Sequence, residues 1–288
     1  MYLTLRKDFK ILKYLQMELN FQRPAYVEPF EFEKLIVRAQ VTKWMANNWH
    51  HSLYWSALYL VVVFGGKHLM KSRPAYKLKR PLAVWNISLA IFSLIGTIRL
   101  LPGFYHVLRD RGFTFSVCNI SYIGGIESSF FWGWLFILSK VLEFGDTIFI
   151  VLRKQKLIFL HWYHHIVTLV FTWYNSGNLV SLGHWFIFMN FTVHSLMYGY
   201  FALKALNIKI PRPIAMMITL CQISQMFIGV FLCSWAYKSL ASGTPCEITY
   251  TALNLNSFMY FTYVVLFCYF FYNSYIVSGK KVQGKKAN

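Results

Sequence analysis

The sequence predicts an all-α integral membrane protein with seven transmembrane helices. Two observations carry this. Of the 288 residues, 57% are hydrophobic and only 14% charged, whereas soluble domains average about 25% charged residues. The apolar residues also gather into seven runs, each long enough with its flanks for a spanning helix of roughly 20 residues. Soluble globular and disordered classes are thereby excluded.

The first run, 49–66, follows a mixed-charge segment without the apolar core of a cleavable signal. The others lie near 82–102, 129–152, 157–175, 183–203, 213–237 and 250–273. Connections are short and no internal repeat is visible, so one integral domain (49–273) is expected between an N-terminal segment (1–48) and a basic tail (274–288).

Lys and Arg set the orientation. The 67–81 loop carries Lys67, Lys71, Arg73, Lys77, Lys79 and Arg80, and Arg153, Lys154 and Lys156 follow the third run. Lys204, Lys209 and Arg212 follow the fifth, and Lys280, Lys281, Lys285 and Lys286 the seventh. With seven spans all of these fall on one side, and the opposite loops hold few basic residues. The N-terminus is therefore expected in the lumen and the C-terminus in the cytosol. The net charge of +19 reads as positive-inside loops rather than a nucleic-acid surface, leaving lipid headgroups or phosphorylated substrates as partners. The ending Lys285-Lys286-Ala287-Asn288 matches a dilysine retrieval signal of the endoplasmic reticulum. Cys118 and Cys246 fall on the lumenal, oxidising side, where a disulfide can form. Asn119-Ile120-Ser121 is a glycosylation sequon on that same side.

The informative residues are those a bilayer should reject. The third run contains Lys140, Glu143 and Asp146, each costing about 2.5–3.5 kcal/mol near the bilayer centre. With Thr147 they share about 120° of helix surface, so they must face the protein interior or lie near the cytosolic end. The plain reading is an ion pair that orders the bundle; the functional one is a site. The fourth run opens His161-Trp162-Tyr163-His164-His165, whose imidazoles can all reach one cavity and suit acid–base, nucleophilic or metal chemistry. Asn190, His194, Met197 and Tyr198 share one face of the fifth run, and Thr219, Gln222 and Gln225 recur at i, i+3, i+6 in the sixth. Isolated amides can be interhelical glue worth about 0.6 kcal/mol each, which is the reading for Asn254 and Asn256 in the seventh. Converging polar faces imply an internal cavity opening towards the basic cytosolic rim.

Four ordered motifs resemble the ELO very-long-chain fatty acid elongases, condensing enzymes of the endoplasmic reticulum. They are Lys140-x-x-Glu143-x-x-Asp146-Thr147, His161-x-x-His164-His165, Asn190-x-x-x-His194-x-x-Met197-Tyr198 and Thr219-x-x-Gln222-x-x-Gln225. Phe201 departs from the pattern, where the family often has a tyrosine. The stretch 154–163 looks most like the branch acting on saturated and monounsaturated chains. The resemblance implies seven helices, six of them in a barrel around an acyl tunnel. It also implies the reaction: malonyl-CoA and an acyl-CoA condense to 3-oxoacyl-CoA, releasing CO2 and CoA, with no metal or other cofactor. A ketoacyl reductase, a dehydratase and an enoyl reductase are the implied partners; the sequence leaves open a homo- or hetero-oligomer.

Such a condensation needs an electrophilic acyl group and stabilisation of an enolate. No cysteine accompanies the polar cluster, so His164 is the candidate nucleophile. His194 can move a proton or stabilise an oxyanion, and His161 and His165 can orient the site or bind the malonyl carboxylate. Glu143 and Asp146 can fix imidazole tautomers, supported by Lys140, Asn190, Tyr198, Gln222 and Gln225. Arg153, Lys154, Lys156, Lys204 and Arg212 are candidates for the phosphates of CoA, against a plain reading as positive-inside charge.

Two rival readings use the same residues. A di-iron desaturase or hydroxylase would need about eight histidine ligands in three boxes, and this chain has one box with one separate partner. A seven-helix receptor or transporter would use the polar cluster as a ligand or proton path, but no internal repeat supports a transporter.

Overall fold

A computed structural model of the chain describes residues 12, 25, 27–121 and 125–277. The described residues are helical, with no strand among them. A 3-10 turn (Glu31–Lys34) precedes α1 (Arg38–Asn48) and α2 (His51–Leu69). Then come α3 (Lys79–Cys118), α4 (Glu127–Leu142), α5 (Phe144–Leu152), α6 (Phe159–Gly177), α7 (Gly183–Ala205), α8 (Arg212–Ala241) and α9 (Tyr250–Phe271), which runs into a π-helical turn (Tyr272–Val277). Among the described residues four helices are long and apolar enough to cross a membrane: α3, α7, α8 and α9 with its continuation. Helices α4 and α5 are too short singly, at 16 and 9 residues, because their run divides at Glu143, while α2 and α6 carry histidines that dilute their hydropathy. The tail with Lys285 and Lys286, and most of the first 26 residues, lie outside the described residues.

Two expected boundaries shift. The second helix continues past 102 to Cys118, and its charges partner one another along the helix: Asp110 takes Arg109 at 2.5 Å and His106 Nδ1 at 2.7 Å. Its one break is Gly112, whose φ of 81° suits a residue without a Cβ. Cys118 therefore ends a helix rather than sitting in a polar loop. The expected third helix is divided at Glu143, where Asp146 N–H donates to the Glu143 carbonyl at 3.1 Å. This local i→i+3 tightening lets Lys140 and Asp146 both point inward.

The region 1–48, expected as a separate segment, also reaches the bundle. Helix α1 packs against α6, with Met45 1% exposed. Helix α3 lies along α7, where a Cβ on Gly96 would sit 2.7 Å from the Phe191 ring. Helix α7 also packs on α8, α8 on α9, α9 on α6, α6 on α4, and α4 on α3, while α2 packs on α5 and α6. A disulfide joins Cys118 to Cys246 just before α9. At the opposite end the basic loops are tied together: Tyr76 N–H donates to the Leu152 carbonyl at 3.0 Å, and Lys79 to Asn207 at 3.1 Å.

Candidate active site

The polar faces of α4 to α8 meet in one place. The buried Lys140 ammonium donates to Glu143 Oε1 at 2.6 Å and to Asn190 Oδ1 at 3.0 Å, with the Phe136 ring 4.0 Å beneath it. The Asn190 amide is 3.1 Å from His194 Nε2. An ammonium can only donate, so the carboxamide oxygen must face Lys140 and the NH2 must face His194. His194 Nε2 then accepts, and the ring carries its proton on Nδ1. Four residues on α4, α7 and the junction before α5 thus form one directed chain ending on an imidazole.

A second network centres on Asp146 and Thr147 and reaches His161. Asp146 accepts from Trp85 Nε1 at 2.6 Å and from the Tyr198 hydroxyl at 2.7 Å, with His165 Nε2 4.0 Å away. Thr147 lies 2.9 Å from His161 Nε2 and 2.7 Å from the Tyr59 hydroxyl. The His161 and His165 rings are 4.5 Å apart. Trp85 and Tyr59 escaped the sequence reading because tryptophan and tyrosine are unremarkable in apolar helices; only the fold brings them to the motif.

His164 holds a different position. Its ring stacks obliquely 5.0 Å from Tyr263 and edge-on 5.9 Å from Phe267. The Tyr263 hydroxyl lies 2.8 Å from Thr168 Oγ1 and 3.3 Å from the His164 carbonyl. Two cavities meet at this ring. The wide one, about 760 Å³, is lined by His161, His165, His194 and Tyr198 and reaches the basic end at Arg153 and Lys204. The narrow one, about 130 Å³, runs along α6 past Thr168, Phe171 and Asn175. His164, Asn190, Gln225 and Met226 line both.

Gln222 donates to Met197 Sδ at 3.2 Å and also lines the wide cavity. Of the five candidate phosphate ligands, Arg153 and Lys204 line it and the other three do not. Lys154 donates to the Lys71 carbonyl, Arg212 to the carbonyls of Ser274 and Tyr275, and Lys156 is exposed. Asn119 is half-buried, its Oδ1 engaged by the Ser121 N–H at 2.9 Å. Asn256 forms a reciprocal amide pair with Asn175 at 2.8 and 2.9 Å, interhelical glue as expected, though Asn175 as partner was not foreseen. Among the described residues no group of three His, Cys, Asp or Glu is arranged to hold a metal ion.

Residues 44–283 match the ELO family, GNS1/SUR4. A very long chain fatty acid elongase 6 of Drosophila melanogaster is 47% identical over 258 residues, 89% of this chain and 82% of that one. The proteins of that name from Gallus gallus and Homo sapiens are 44% and 42% identical, covering 91% and 88% of this chain and 97% and 96% of their own.

Proposed function

The chain belongs to the ELO family, and on that premise we propose how its two cavities serve the reaction. The protein is a fatty acid elongase of the branch similar to elongase 6. It condenses malonyl-CoA with a long-chain acyl-CoA to 3-oxoacyl-CoA, CO2 and CoA, the first step of an elongation cycle.

The observation that carries the assignment of roles is His164 at the meeting point of a wide cavity with a basic mouth and a narrow, mostly apolar one. The acyl chain enters the narrow cavity and the CoA moiety remains in the wide one, its phosphates at Arg153 and Lys204. A neutral His164 nitrogen attacks the thioester carbonyl, the C–S bond breaks, and CoA leaves as the thiol with one proton. Malonyl-CoA then occupies the wide cavity and loses CO2. Its enolate carbon attacks the acyl-imidazole carbonyl, forming the new C–C bond; the C–N bond to His164 breaks, and the departing nitrogen regains a proton from solvent through the wide cavity. The Nδ1–H of His194 stabilises the negative charge that develops on oxygen. His161, oriented by Thr147, and His165 beside it complete the wall that receives the malonyl group. No step requires a metal or redox cofactor.

The cyclic order of helix contacts, α3–α7–α8–α9–α6–α4, supports a barrel of six spans in which α4 and α5 act as one, with α2 as a seventh outside it. We place this bundle in the endoplasmic reticulum membrane, with the basic end and C-terminus cytosolic. There CoA substrates and the reductases and dehydratase of the cycle would reach the mouth. Purified protein in liposomes tests the assignment: labelled malonyl-CoA and a long-chain acyl-CoA should yield 3-oxoacyl-CoA and CO2 without added metal. No product with any chain, together with stoichiometric bound iron, would favour the desaturase reading.

A further inference from the structure

The narrow cavity ends on a helix that supplies none of the four motifs. Helix α6 runs unbroken from His164 to Gly177, about 20 Å at 1.5 Å per residue. At that far end the cavity wall includes Val41, Thr42 and Met45 of α1, with Ile120 and Val180 opposite. Thr42 is 5% and Met45 1% exposed, so both side chains are packed into this end of the wall. Helix α1 is held firmly there: a Cβ on Gly177 would lie 2.8 Å from the Met45 carbonyl and 2.8 Å from Trp49 Cβ. The Trp44 ring packs edge-on against Trp134 and Trp173 at 6.1 and 5.9 Å. Helix α1 therefore cannot recede without unseating three tryptophans and a backbone contact.

We propose that Met45 and Thr42 are specificity-determining residues, forming the floor against which the acyl ω-end is measured. The inference rests on the reading that His164 holds the acyl carbonyl. An extended chain advances about 1.25 Å per carbon given bonds of about 1.5 Å, so about 14 to 16 carbons span the length from His164 to the floor. A methylene too many must then displace a packed α1, and discrimination per methylene in such a pocket runs about 10- to 200-fold. Val41 and Thr42 precede residue 44, where the match to the family begins. Both also lie within the stretch shared with the elongase 6 relatives, since a match over 89% of the chain must include them.

The test uses the full-length protein in liposomes with malonyl-CoA and saturated acyl-CoAs from 10 to 22 carbons. Met45→Ala should raise the longest accepted chain by about two carbons, the reach of the atoms removed. Thr42→Trp should lower it by about two or more, as overpacking shortens the space. Both variants should condense the shortest substrates within about twofold of the unaltered enzyme, since the reacting groups are untouched. Opposite shifts cannot both arise from misfolding, and if one variant fails to assemble the other decides alone. An unchanged cut-off in an active variant overturns the floor. An unaltered enzyme that condenses no chain at all would overturn the elongase reading instead.

Discussion

Asn190 donates its side-chain amide to Nε2 of His194 at 3.1 Å, and the direction of that bond is dictated by Lys140 on the other side of the amide. The lysine that a bilayer should reject is therefore tied to a histidine of the candidate site. It fixes which nitrogen of His194 carries the proton, one residue removed.

Asn190→Asp tests that relationship. A carboxylate cannot donate, so a neutral His194 must present Nε2–H and lose the Nδ1–H. We expect kcat to fall about 10- to 100-fold, the usual cost of removing an orienting partner, with KM for both CoA substrates little changed. Steady-state kinetics check it; a rise in KM with unchanged kcat would make Asn190 a binding residue.

The basic mouth makes a different kind of contribution. Arg153→Gln and Lys204→Gln should each raise KM for acyl-CoA by about tenfold while sparing kcat, and the effect should shrink at high salt because the contact is solvent-accessible. Lys156→Gln, at an exposed residue that does not itself line the cavity, is the internal control and should behave as wild type.

The four motifs were legible because charged and imidazole side chains are expensive in a membrane, and their spacing put them on shared faces. Cys118 with Cys246 was legible from sidedness alone. Trp85 and Tyr59 were not, because their role is created by contacts from α3 and α2 that leave no periodic trace. Met45 was hidden for another reason. Its helix is polar along most of its length and buries only a few side chains, so α1 read as part of a solvent-exposed segment. The continuation of α3 beyond Pro102 was also missed, since Arg109, Asp110 and Arg111 resemble a loop until their mutual pairing is seen.

Glu33 gives the fold a defined pH response. Burial alone would push its carboxyl up, but Arg99, the Phe30 N–H and the Trp132 indole, all within 2.6–2.8 Å, outweigh it and hold the pKa below the ordinary value. A depressed folded pKa contributes stability above the unfolded value of about 4.3, lost as pH falls through the folded one. Glu33→Gln should cost about 3 kcal/mol at neutral pH by breaking a buried pair. The gap in thermal unfolding between wild type and variant should stay flat from pH 7 to about 6 and narrow below about pH 5. A gap constant down to pH 3 would contradict the ionised network.

The disulfide closes a loop of 128 residues between Cys118 and Cys246. Loop-closure entropy for that span is about 4–5 kcal/mol. Thermal unfolding should drop to the same temperature on reduction and in the Cys118→Ser, Cys246→Ser double variant, which should itself be insensitive to reductant.

The central claim is that His164 carries the acyl group between the two CoA substrates. Intact mass of the purified protein, taken after incubation with a 16-carbon acyl-CoA and no malonyl-CoA, tests it most directly. The account predicts a single acyl adduct that peptide mapping places on His164, that malonyl-CoA discharges as 3-oxoacyl-CoA, and that is absent in His164→Ala. Normal product formation with no adduct at any time, or a His164→Ala enzyme that retains most of its condensation rate, would contradict it.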